Sequence, residues 1–165
     1  MDTENKKGPI WTKTAETIVT KMKGQKVLLP DNLEPVGGTP DYFKSIKNHQ
    51  FKIVSYIDAN CGVCIEDLIF WKKFMKETPI KRDHCAFIFY INTFDKEEFQ
   101  KNMATTHGFT HTWVHDPNDE FISRNRLYDK RLQTVLLNKN NEVVIIGNPV
   151  LNSDLEKLYK KVLLF

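Results

Sequence analysis

The sequence predicts an α/β fold: a central mixed β-sheet with helices packed on both faces. Two observations carry this. The runs Phe51 to Ile57 and Cys85 to Ile91 are rich in β-branched and aromatic residues, and each leads into a stretch with helical apolar spacing. Strands that are apolar on both faces, as the first is except at Lys52 and Ser55, are usually central and parallel. Further on, Thr134 to Leu137 and Glu142 to Ile146 flank Asn138-Lys139-Asn140-Asn141, which signals a hairpin. A right-handed crossover joins the parallel pair, and the hairpin adds antiparallel strands on one side.

The other elements follow in chain order. Residues 1–9 read as a flexible tail, and residues 10–165 as a single domain. Pro9 can open a helix, Ile10, Trp11, Ala15, Ile18 and Met22 follow at near-helical spacing, and Gly24 ends the run. Val27 to Leu29 reads as a short extra strand stopped by Pro30. Residues 30–40 hold three prolines and Gly37-Gly38, so they are expected to be loop. Asp41 to Asn48 suggests a brief helix. A longer helix runs from the Cys61 region to about Glu77, with Leu68, Trp71 and Met75 on the face of Cys64, widened by Ile65 and Ile69. Asp95 to Thr106 is helical, His111 to His115 a short strand, and Asp119 to Leu127 a short helix. The last helix opens on Ser153-x-x-Glu156, a capping box, and is expected to bury Leu155, Leu158 and Val162.

Composition narrows the function. The chain has 165 residues, 41% of them apolar, with eleven Phe, five Tyr and three Trp. That is enough to fill a core without disulfide staples, so the three cysteines are free for chemistry. Net charge is +3, from 24 basic and 21 acidic residues, mostly interleaved. No run exceeds two basic residues, so there is no footprint for nucleic acid. No stretch approaches the roughly 20 apolar residues of a membrane span. Residues 1–9 lack the apolar core of a signal peptide, which fits either a cytoplasmic protein or an exported one whose leader has been removed.

The chemical centre is Cys61-Gly62-Val63-Cys64, between a buried strand and a helix. Two sulfurs three residues apart across a helix's first turn can close into a disulfide locally. Cys61 would sit near the helix N-cap, where unpaired N–H groups and the dipole favour a thiolate. Lowering a thiol pKa from about 8.5 to about 7 raises the thiolate fraction at neutral pH from roughly 3% to about half. Cys61 is then the attacking nucleophile and Cys64 the resolving thiol. A structural Cys61–Cys64 disulfide stays open as an alternative. A zinc site would need two more ligands; His84-Cys85 is the nearest pair, Cys85 begins an apolar strand, and no second pair of this spacing exists. Cys85 reads as a small buried apolar residue. His107, His111 and His115 are spaced by four, but Gly108 and Thr112-Trp113-Val114 break any one helix. Neither a metal nor a cofactor is called for.

The segment Phe51–Met75 with its Cys pair resembles the active-site strand and helix of the thioredoxin superfamily. Thr134-Val135-Leu136-Leu137-Asn138-Lys139-Asn140 is similar to that family's strand and turn after the substrate loop. The N-terminal helix and extra strand, with Ile53–Ile57 and Trp71-Lys72-Lys73, resemble the TlpA/ResA-like proteins of the bacterial envelope, some of them lipoproteins. The resemblance covers about residues 25–165. It implies a thioredoxin-like sandwich, a thiol–disulfide oxidoreductase acting on protein thiols or disulfides, a monomer, and a periplasmic or envelope location with a lipid anchor outside this sequence. A non-catalytic binding module of the same fold, with a structural disulfide, is the competing class.

Departures from the family pattern mark the site. Asn60 stands where thioredoxins carry Trp, and Ser55 where they carry a buried acid; the nearest acid is Asp58. The dipeptide Gly62-Val63 replaces Gly-Pro. Asp58 and Val54 occupy the positions where peroxiredoxins carry Thr or Ser and Pro, so a peroxidase is disfavoured. The cis-proline of the family aligns with Leu132. A non-proline cis bond costs about 3–4 kcal/mol, so a trans Arg131–Leu132 bond and a reshaped loop are expected, with Leu132 positioned to cap the sulfurs and substrate pairing weakened.

Overall fold

The computed structural model describes residues 21–81 and 83–165, apart from the side chains of Val63 and Cys64. The tail at 1–9 and most of the first helix expected from the sequence lie outside the described residues. Residues 21 and 22 are helical, and the chain turns at Gly24 (φ 85°), where that helix was expected to end.

Among the described residues, six strands form one mixed sheet. In chain order the elements are β1 (Glu34–Val36), α1 (Tyr42–Ile46), β2 (Phe51–Asp58), α2 (Gly62–Glu77), β3 (Cys85–Asn92), α3 (Lys96–His107), β4 (Trp113–His115), α4 (Glu120–Arg124), a 3-10 turn (Lys130–Leu132), β5 (Thr134–Asn138), β6 (Val143–Ile146) and α5 (Ser153–Leu163). The spatial order is β1-β4-β3-β2-β5-β6. β2, β3 and β4 run parallel, while β1, β5 and β6 each pair antiparallel with their neighbours. β2 is central, in register with β3 from Phe51↔Cys85 to Asp58↔Asn92 and with β5 from Phe51↔Asn138 to Ser55↔Thr134. The sheet and its helices match the α/β architecture expected from the sequence.

Alternation along β2 separates two cores. Ile53 and Ile57 face one layer, with Leu68, Trp71 and Phe74 of α2, Phe99 and Met103 of α3, and Tyr159 and Leu163 of α5. Val54 faces the other, with Tyr42 and Ile46 of α1, Phe121 of α4, and Leu132. Trp71 is fully buried and meets Phe74, Phe87 and Phe89 edge to face. Lys52 also lies in the sheet, 2% exposed: its stem is buried and its ammonium donates to Lys139 O (3.2 Å) and Asn141 Oδ1 (2.7 Å), tying β2 to the hairpin turn.

Several local expectations are corrected. Val27–Leu29 is not a strand: Val27 is buried and its N–H reaches Asn141 O, but the only pairing nearby is a single bridge, Lys26↔Glu142. The extra strand is β1, inside the stretch expected to be loop; it includes Pro35, which a sheet edge tolerates. The last helix is capped by Asn152, whose side chain accepts from Asp154 N and Leu155 N, and not by Ser153. α5 buries Tyr159 and Leu163, one residue on from the expected stripe, and Leu158 is 45% exposed. Ile69 of α2 is likewise exposed, and Phe74 takes the buried position. Gly147 (φ 121°) lets α5 approach the sheet: a Cβ there would lie 2.6 Å from Leu155 Cδ1.

Candidate functional site

β2, a central strand, ends at Asp58, and the next residues turn into α2. The turn is held by Asp58, whose Oδ1 accepts from Asn60 N (3.0 Å) and whose carbonyl accepts from Cys61 N (3.3 Å). Ala59 N donates to Asn92 O at the end of β3 (2.8 Å). Asn60 reaches sideways, accepting from Phe94 N (3.1 Å) and donating to Asn92 Oδ1 (3.5 Å). Cys61 is therefore presented from a braced loop.

Cys61 is the N-cap of α2 (φ −107°, ψ 120°), where the sequence placed it, and its side chain does not cap the helix. The first turn of α2 carries no acidic residue, so nothing there opposes the positive end of the dipole. Gly62 opens the helix, and a Cβ on it would meet nothing within 4 Å. Val63 and Cys64 continue the first turn in the backbone; the inward orientation expected of Cys64 lies outside the described residues. Cys85 is 7% exposed at the start of β3, and burial pushes its thiol up to about 12, in keeping with a small apolar role.

Cys61 opens onto a groove of about 940 Å³. Its floor is the end of β2 and the start of β5, with Tyr56, Ile57 and Thr134. One wall comes from residues 119–133, including Tyr128, Arg131 and Gln133, and the other from α2, the loop before α5 and the start of α5, including Asp67, Leu151 and Leu155. Tyr128 and Leu151 are 68% and 59% exposed, and Phe94 beside Asn60 is 92% exposed. The groove that Cys61 lines therefore carries apolar side chains open to solvent.

Beneath Cys61, Ser55 is 2% exposed and its hydroxyl lies 2.7 Å from that of Thr134, its cross-strand partner. The two hydroxyls satisfy each other, and neither titrates in the working range. On the other face, Tyr56 donates to Asp119, which also accepts from Asn92 Nδ2 (2.9 Å). Burial, then the Asp119 contact, raises the Tyr56 phenol well above its usual range. Asp119 adopts a left-handed conformation (φ 54°) at the start of α4.

No family model matches the chain, and no curated protein matches it either. Its structure is similar to that of a thioredoxin-like superfamily protein (TM-score 0.59, 13% identity, 87% of this chain and 96% of that one). It is also similar to the thioredoxin domain of a thiol-disulfide oxidoreductase from Bacteroides vulgatus (TM-score 0.52, 13% identity, 70% and 82%). A third similar structure is an exposed lipoprotein thioredoxin from Streptococcus pneumoniae (TM-score 0.52, 14% identity, 73% and 90%). The chain has a thioredoxin-like fold.

The loop opposite the cysteine carries Leu132, the position that the resemblance aligns with the family's cis-proline. The described peptide bonds are all trans, Arg131–Leu132 among them. Asp129 organises the loop as a 3-10 turn: its side chain accepts from Arg131 N (3.0 Å) and Nε (2.8 Å), and its carbonyl from Leu132 N (2.9 Å). Gln133 O is taken by Tyr56 N (3.0 Å). Leu132 is 6% exposed and packs into the second core, so it does not cap the sulfur as expected; Arg131 and Gln133 line the groove instead.

Asp67 is the acid that sequence reasoning missed. It lies three residues after Cys64 on α2, lines the groove, and has its carboxyl pushed up first by burial and then by Glu66. The i, i+3 spacing from Cys64 was a signal available in the sequence. A carboxyl whose folded pKa is raised costs stability once ionised, so that cost is absent below its unfolded pKa and grows as pH rises through the folded value. Asp67→Asn is therefore expected to raise Tm at pH 7 and leave it unchanged at pH 3, in paired thermal melts. An equal Tm change at both pH values would show that the burial of the charge is not responsible.

Proposed function

We propose that this chain is a thiol–disulfide oxidoreductase of the TlpA/ResA-like type, with Cys61 as nucleophile and Cys64 as resolving thiol. The observation that carries the reading is Cys61 at the N-cap of α2, opening onto the groove with no acid in the helix's first turn. Helix N-termini lower thiol pKa values, and the thiolate is the attacking species. In the reductive direction, the Cys61 thiolate attacks one sulfur of a partner disulfide. The partner's S–S bond breaks, its other sulfur leaves as thiolate and takes up a proton, and a mixed disulfide forms. The Cys64 thiolate then attacks the Cys61 sulfur and expels the partner's second thiolate. The partner gains two electrons and two protons, and Cys61–Cys64 becomes the disulfide. Run backwards, the same steps oxidise a dithiol.

Asp67, which lines the groove together with Asp58 and Asp119, is a carboxyl placed to exchange protons there, which Ser55 and Thr134 cannot do. Asn60, Asp58, Gly62 and Val63 shape the approach to Cys61. The 3-10 turn supports a narrow choice of partner: the N–H groups of Arg131 and Leu132 are used within the loop and are not offered to an extended substrate. Recognition falls instead to the exposed Tyr128, Leu151 and Phe94 and to Arg131. The similarity to a lipoprotein thioredoxin supports an envelope location. The expected result in an insulin-reduction assay is turnover well below that of an ordinary thioredoxin, with the Cys pair itself cycling normally with dithiothreitol. Turnover equal to thioredoxin's would show that the loop serves general substrates after all.

A further inference from the structure

A second cavity lies at the opposite end of the sheet from Cys61, and the strand pairing explains it. β4 meets β3 at Tyr90↔Val114 and Ile91↔His115, so the first half of β3 has β2 on one side and, among the described residues, no strand on the other. Across that gap the Tyr42 hydroxyl donates to Phe87 O (3.0 Å), and the remaining space forms a cavity of about 300 Å³. That is room for a bicyclic aromatic.

The lining has a definite chemistry. Ile46, Met75, Ile80 and Phe87 make it apolar. Its polar groups are the Tyr42 hydroxyl, already bonded to Phe87 O, the Cys85 thiol, Thr78, His111, His49 and Lys81, and no carboxylate among the described residues lines it. Thr78 is 4% exposed, and its hydroxyl has no hydrogen-bond partner among the described residues. Buried hydroxyls are ordinarily satisfied, so this one marks an incomplete environment. His111 Nδ1 lies 2.7 Å from Thr112 O, which can only accept, so Nδ1 carries the proton and Nε2 is left as an acceptor. Burial lowers the His111 pKa and keeps the imidazole neutral.

We propose that this cavity binds a small aromatic carboxylate, its ring among Met75, Ile80 and Phe87, a ring N–H donating to His111, and its acid group beside Lys81 and His49. Pockets that combine apolar walls with a few convergent polar groups are the usual form of small-ligand sites. The site is independent of the redox reading, sharing no lining residue with the Cys61 groove.

The test is a titration of the isotope-labelled full chain with indole-3-carboxylate, following backbone amide shifts at pH 7. The expected result is saturable binding with Kd at or below about 1 mM, with shifts centred on Thr78, Ile80, Phe87 and His111. Indole, lacking the acid group, should bind at least about threefold more weakly, and Lys81→Ala should bring the two ligands to the same affinity. Ile80→Trp changes a partly exposed side chain and fills the mouth; binding should vanish while the fold persists. Thr78→Val, nearly isosteric, should weaken binding without unfolding the chain. Absence of saturable shifts at about 10 mM ligand, shifts centred on Cys61, or undiminished binding to Ile80→Trp would overturn the proposal.

Discussion

Cys64→Ser is expected to leave Cys61 able to hold partners as stable mixed disulfides, and Cys61→Ser is expected to trap none. The asymmetry follows from position. Cys61 is partly exposed at the N-cap of α2 and lines the groove, whereas Cys64 lies one turn further along the helix. The helix-terminal thiol is accessible and placed where the dipole favours its thiolate. With Cys64 removed, nothing resolves the intermediate and it accumulates; with Cys61 removed, no intermediate forms. Non-reducing gels with a disulfide-bonded partner, run with and without dithiothreitol, show the difference. Alkylation rates at neutral pH give a second measure: Cys61 should react several times faster than a free peptide cysteine. Equal rates for the two thiols, both at the peptide value, would contradict the assignment. Cys85 should stay unmodified in the folded protein, because its thiol is buried and pushed up to about 12.

Trp71→Ala is expected to cost about 3–5 kcal/mol, the range for removing a large buried aromatic. Trp71 is fully buried between α2 and β3 and touches three Phe rings, so the void cannot close by a small shift. For a chain of this size the loss corresponds to a fall in Tm of about 10 °C or more. Trp71→Phe should cost much less than its loss of volume implies, since the indole N–H has no hydrogen-bond partner among the described residues and its removal abandons no bond. Urea unfolding of the two variants measures both. Similar costs for Ala and Phe would mean that the indole N–H has a partner after all, or that packing at Trp71 is not limiting. Because α2 carries Cys61 at its N-cap, a loosened Trp71 should also slow disulfide exchange.

The parts of the fold that the sequence makes legible are those with a local signal. β2 and β3 are long apolar runs, the hairpin has its Asn-rich turn, and α3 starts at the expected Asp95, whose side chain accepts from Glu98 N. β1 was not legible, because Glu34-Pro35-Val36 has no apolar run; its place is decided by β4, some 80 residues away in sequence. Val27 misled for the converse reason: it is buried, and burial without ladder hydrogen bonds reads as strand in a sequence. The one-residue errors at Asn152 and along α5 reflect the weak local information at helix ends.

The site divides in the same way. Cys61 and its N-cap position are readable from spacing, and Ser55 in place of a buried acid from the resemblance to thioredoxins. The hydroxyl pair with Thr134, the Tyr56–Asp119–Asn92 network and the groove walls depend on segments far apart in sequence. Leu132 shows the limit of alignment. The reasoning against a cis bond there agrees with the trans geometry, but the direction of the side chain is decided by the second core, where an apolar residue in a 3-10 turn finds its burial.

The central claim is that Cys61 and Cys64 form a reversible redox pair. The direct measurement is equilibration of the full chain over a graded series of reduced and oxidised glutathione, with alkylation and mass analysis at each step. The account predicts one two-electron transition, in which Cys61 and Cys64 gain and lose alkylation together while Cys85 never joins a disulfide. A Cys61–Cys64 disulfide that resists reduction across the whole series, or a disulfide that involves Cys85, would contradict it and leave a thioredoxin-like binding module as the better description.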